Sequence, residues 1–126
     1  MDDDDELTVL TAPFLASDLA QEVQNVYFER AGVGVGAGPA TQAVFETFRD
    51  LLGDPNEGPV IFLALACLQL RRRDVLPPVR DAALALIESG DADRAWRQSD
   101  SFVNQQRKAA LRALASRLEN AALEAG

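Results

Sequence analysis

Histidine is absent from this chain, and cysteine, tryptophan, tyrosine and methionine each occur once. Without imidazole there is no ordinary general base near neutral pH, and the commonest metal ligand is missing. The one thiol, Cys67, has no partner for an internal disulfide, makes no Cys–Cys zinc spacing and has no imidazole to activate it. It reads as a small core residue in a reducing compartment, so the expectation is a cytoplasmic protein with no cofactor and no metal. Paired carboxylates remain a formal catalytic option. No spacing singles out a pair, so no catalytic residue is assigned and the chain is read as a non-enzyme.

Long apolar runs are also missing. The longest, "PVIFLALACLQL", falls far short of the roughly 20 residues that span a bilayer, and no charged-then-apolar leader opens the sequence. No membrane association is expected. Base is scarce in the first half: residues 1–70 hold only Arg30 and Arg49 against twelve acids, whereas residues 71–126 are close to balanced within a net charge of −8. An acidic half repels phosphate backbones, so direct nucleic-acid binding is disfavoured and a basic protein partner suits it better. Five of those acids form "DDDDE" at residues 2–6, a self-repelling run that predicts a disordered N-terminal tail over 1–6, ahead of one domain over 7–126.

What the chain does have is apolar residues, at 48%, arranged mostly at helical spacing. "ELTVLTAPFLA" alternates loosely and predicts a short strand or extended arm ending before Pro13. Ser17 is a good N-cap, and Leu19, Val23, Val26 and Tyr27 make one stripe of a helix ending near Arg30. After "AGVGVGAGP", Gly38 as cap and Pro39 at the first position predict a second helix to Leu52, with Val44, Phe45, Phe48, Leu51 and Leu52 inward and Gly53 as stop. "DPNEGP" is turn chemistry. The helix from about Glu57 to Arg73 is apolar almost all round between Val60 and Leu70, which marks it as the central, most buried element. Pro77 and Pro78 open a fourth helix, with Val79, Ala83, Leu86 and Ile87 inward and Gly90 closing it. Asp91 caps a short helix holding Trp96, and a last helix runs from about Asp100 to Ala122 with Val103, Leu111, Leu114 and Leu118 on one face. The fold class is therefore all-α, five or six helices in a compact bundle around the helix at 57–73.

Three motifs resemble sites. "GVGVGA" fits a loose dinucleotide pattern, but a helix precedes it where the motif needs a strand, and the Gly-Lys-Ser/Thr ending of a phosphate loop is lacking. Arg71, Arg72 and Arg73 sit at a helix C-terminus, where cations meet the negative end of the dipole; a partner contact is the second reading. Asp91 and Asp93 begin like a calcium loop, but Ala95 stands where an oxygen ligand belongs and no closing glutamate follows. The simpler account is a structural corner of Gly90, Asp91 and Trp96, in which Gly90 stops one helix, Asp91 serves the next, Trp96 packs inward and Asp93 pairs with Arg94 or Arg97.

From Asp54 onward the chain resembles an uncharacterised family of small bacterial proteins. The resemblance rests on "DPNEGPVIFLALACLQL", "VLPPVRDAALALIESGDADRAW" and the basic segment "NQQRKAALRALASRLE", with Gln69, Arg80, Ala83, Leu84, Ile87, Ser89, Gly90, Arg94 and Trp96 on the family's positions. It implies an α-helical fold and no catalytic residues. The chain departs from the family in lacking a Trp-Gly pair near the N-terminus, and in carrying the arginine run where a glycine usually follows the Gln helix.

Small size, an acid-rich half and no catalytic constellation favour a protein-interaction module, an acidic binder or inhibitor of another bacterial protein of the kind immunity proteins represent. Asp18, Glu22, Glu29, Glu46 and Asp50 would face the partner. The alternatives are a phage or defence-related antagonist whose acids mimic nucleic-acid charge, a small-molecule sensor with a pocket near Gln69 and Trp96, and a self-assembling structural protein, since a homo-oligomer stays open.

Overall fold

The computed structural model describes residues 10–30, 36–95 and 101–125, with side chains in the last segment described from Arg107 to Ala121. The acidic run at 2–6 and Trp96 lie outside the described residues. Among the described residues the fold is all-α, a bundle without strands, as the helical spacing predicts.

Residues 10–15 form the first helix, α1, where the strand or extended arm is expected to run up to Pro13; residues 6–9 of that stretch lie outside the described residues. The buried positions of α1 are Thr11, Phe14 and Leu15, spaced three and four apart, which is one face of a helix. In so short a segment that face passes for loose alternation. A tight corner follows, and Ser17 accepts the Ala20 amide at 3.1 Å to cap α2 (Asp18–Arg30). Gln24 donates to the Leu15 carbonyl at 3.0 Å and Gln21 to that of Ala16 at 3.2 Å, so α2 satisfies carbonyls that α1 leaves open. Ala20, Val23 and Tyr27 face the core.

A long-range contact decides the start of α3 (Ala37–Thr47). The helix begins before Pro39 because a carboxylate from outside the segment caps it: Asp74 accepts the Ala37 amide at 3.1 Å. It also stops before the expected Leu52. Thr47 turns its hydroxyl back onto the Ala43 carbonyl at 2.8 Å, Phe48 leaves helical geometry with φ −110°, and a 3₁₀ turn covers Arg49–Leu51. The apolar stripe survives the break: Val44 and Phe48 are buried, with Phe45, Leu51 and Leu52 packed against the core.

Asp54 organises the next turn, accepting the amides of Asn56 at 2.8 Å and Glu57 at 2.9 Å. The turn then lies so close over α4 (Glu57–Arg71) that a Cβ on Gly58 would stand 2.5 Å from the Leu52 carbonyl oxygen. From Gly58 to Leu70 every residue of α4 except Phe62 is buried, and α2, α5, α6 and α7 all pack on it. The all-round apolar run is central for that reason. α4 ends two residues earlier than expected. The amides of Arg73 and Asp74 reach back to the Leu70 and Gln69 carbonyls at 3.1 and 3.0 Å, and Arg73 takes φ +56°. Arg73 thus stands in the left-handed position that usually belongs to glycine.

α5 (Pro77–Ser89) opens on Pro77 and closes on Gly90 at φ +86°. α6 (Asp91–Ala95) is a single turn, and α7 (Ser101–Ala125) presents Leu111, Leu114 and Leu118 to the core. Arg94 pairs with Asp91 and not with Asp93, and Arg97 lies outside the described residues. The Asp93 carboxylate receives both Nε and Nη2 of Arg107, at 3.1 and 2.8 Å, joining α6 to α7. Four residues before Leu111, Arg107 falls on the inward stripe of α7, so its charge needs a carboxylate at that depth.

Candidate functional site

Three surfaces hold the charged residues singled out above, and the geometry treats each differently. On α2, Asp18, Glu22 and Glu29 fall within an arc of about 40° at 100° per residue, directly opposite the buried line of Ala20, Val23 and Tyr27. All three are exposed, and among the described residues none of them is in an ion pair. Glu46 is exposed on the outer face of α3 with Gln42 reaching its carboxylate at 3.4 Å, and Asp50 is exposed on the 3₁₀ turn. These acids have no structural task in the core.

The three arginines do not form one patch. Half-buried Arg71 donates from Nε to the buried Thr11 hydroxyl at 2.7 Å and so ties α4 to α1. Arg72 lies 5.5 Å above the ring of Phe28, which at 48% exposure is the one large apolar side chain left open among the described residues. Arg73 carries the left-handed stop. Each has a role in closing the C-terminal end of α4.

Beside them lies a buried polar network that sequence reasoning missed. Gln69, fully enclosed, donates to Thr41 at 2.7 Å and accepts the Leu76 amide at 2.9 Å, linking α4 to α3 and to the start of α5. Buried Tyr27 adjoins it, and its phenol is pushed above its ordinary value first by burial and then by the charge of Asp74, with Arg72 and Gln69 opposing. Among the described residues no buried side-chain polar atom is left without a partner. Gln69 is therefore enclosed with both ends of its amide engaged. The only hint in the sequence was a polar residue inside an otherwise apolar helix.

The open space lies elsewhere. A groove of about 490 Å³ separates the α3–α4 turn from α5. Leu52, Pro55 and Phe62 wall it on one side and Ala82, Ala85 and Leu86 on the other, with Asp54 and Asp91 as its charged lining. Asp54 is held below the ordinary carboxylate range by the two amides it caps. Asp91 is the first residue of α6, contacts Arg94 one turn on and offers its own amide to the Ser89 hydroxyl at 3.2 Å. It is thus a groove residue more than the cap expected of it, while Gly90 holds the left-handed stop. Trp96, the third member of that corner, lies outside the described residues.

Burial pushes the Cys67 thiol far above its ordinary value, so no thiolate is available there. Among the described residues no three metal-ligating side chains gather, and no helix is long and apolar enough to cross a membrane. Comparison with family models, curated proteins and solved structures returned no match to this chain.

Proposed function

We propose that this chain is a protein-interaction module, an acidic binder or inhibitor that engages a basic protein through the outer face of α2. The observation that carries this reading is the line Asp18, Glu22 and Glu29: three exposed carboxylates on one face, without ion pairs among the described residues, on a helix whose opposite face is committed to the core. Exposed carboxylates outside the core are free to steer an encounter, and complementary charge raises association rates and excludes like-charged partners. Glu46 and Asp50 extend the same sign onto α3 and its 3₁₀ turn.

The test is capture of partners on the immobilised chain, washed across a salt series, beside the variant Asp18→Asn/Glu22→Gln/Glu29→Gln. Exposed pairs contribute about 0.2–1 kcal/mol each, so the triple variant should bind about tenfold more weakly. Binding should also decline as salt shortens the screening length below about 10 Å. A partner held equally well by both forms at all salt concentrations would defeat the reading.

A further inference from the structure

Charge attraction alone rarely holds a complex; affinity is concentrated where an apolar side chain fills a pocket from which water is excluded. The groove between the α3–α4 turn and α5 has that form. Ala82, Ala85, Leu86 and Ser89 recur on α5 at i, i+3, i+4 and i+7, so they make a stripe of their own, turned to the groove beside the Val79–Ala83 stripe turned to α4. The two alanines create the space by ending at Cβ. Gly58 sets the opposite wall, because the Leu52 backbone lies against α4 only where no Cβ intervenes. Leu52, Phe62 and Leu86 are half-buried, so apolar surface faces solvent there.

The rim selects the occupant. Its charged lining is two carboxylates, Asp54 and Asp91, and the exposed acids Asp50, Asp81 and Glu88 stand within two residues of lining positions; of the nearby cations, Arg80 is paired with Asp81 and Arg94 with Asp91. Acidic peptides, phosphorylated segments and anionic lipid surfaces are repelled by that set. A second copy of this chain would bring net charge −8 against it. Cationic residues on either side of an apolar one are complementary.

We propose that this groove seats an apolar side chain from a lysine- or arginine-rich segment of the partner, with Asp54 and Asp91 receiving the flanking cations. The inference rests on the reading that the partner is basic, and it adds a site distinct from the α2 face.

The test uses the ¹⁵N-labelled chain, titrated with an amphipathic peptide of leucine and lysine and with a counterpart of leucine and glutamate in the same pattern. The leucine–lysine peptide should shift amide resonances at Leu52, Phe62 and Leu86 saturably, and the glutamate peptide should not. Ala85 is exposed on the groove wall, so Ala85→Trp fills the space from outside the core and should weaken binding at least tenfold. Ala85→Lys, which suits a helix and sets an ammonium among the carboxylates, should do the same and serves if the tryptophan variant unfolds. Shifts confined to α2, parent-like binding by either folded variant, or equal binding of the glutamate peptide would overturn the groove. If the α2 triple variant loses its protein partner while Ala85→Trp keeps it, the groove inference falls and the interaction reading stands. If the lysine peptide does not shift the groove resonances of the parent, the groove inference falls, and the interaction reading is decided by the α2 triple variant.

Discussion

Arg73 illustrates how one side chain is held at a cost. Its φ of +56° places it in a region that costs non-glycine residues roughly 1–2 kcal/mol. Arg73→Gly should therefore raise stability by about 0.5–1 kcal/mol, seen as a higher urea midpoint with an unchanged slope. An unchanged or lower midpoint would mean that contacts of the arginine side chain offset the strain. Asp54 supplies a pH signature at the same scale. Its folded pKa lies below the ordinary 3.8 because two amides hold the ionised form. Its contribution is fully present above the unfolded value and is lost as pH falls through the folded one, since the unfolded chain binds the proton first. Asn caps equally well without titrating. Asp54→Asn should thus flatten the loss of stability below about pH 4, measured as melting temperature against pH; parallel curves for the two proteins would contradict it.

Elements are joined here by a few side chains that sequence spacing does not flag. α6 is too short to bury much, and the Asp93–Arg107 pair, at 17% and 7% exposure, fastens it to α7. Removing one partner of an enclosed pair leaves a charge without compensation, a cost of about 3–5 kcal/mol when burial is complete. Asp93 retains some solvent, so Asp93→Ala should lose about 2–3 kcal/mol in chemical denaturation, and Asp93→Ala/Arg107→Met should recover most of it. A double variant as unstable as the single one would show that the pair serves packing and not charge balance. The same scale explains which helix limits were legible. Ser17 acts on its own helix through an adjacent amide, Pro77 through its fixed φ and Gly90 through its left-handed one, and those limits could be read directly. The start of α3 depends on Asp74, 37 residues away, and no local pattern announces it.

Across the whole molecule, charge and core are segregated. The acids of α2 point away from a core centred on α4, and the neutralised triple variant should lose affinity for a basic partner while its stability falls by no more than about 1 kcal/mol, the share of Asp18 in the first turn of α2. A fall in melting temperature as large as the fall in affinity would assign those acids to the fold instead. The groove follows the same division, apolar within and acidic at its edge.

Amphipathic periodicity, caps and the all-round apolar run from Val60 to Leu70 were enough to establish an all-α bundle with α4 at its centre, because those signals act over one or two helical turns. The acidic line of α2 was equally legible, since residues four and seven apart share a face on any helix. Other features had no local signature. The Asp74 cap of α3, the Gln69 network, the Asp93–Arg107 clamp and the groove between Leu52 and Leu86 each join residues from separate elements, and α1 was too short for its helical spacing to stand out. A hydrogen bond, an ion pair or an empty volume between elements comes into being only when packing brings its parts within a few ångströms, and tertiary structure alone decides that.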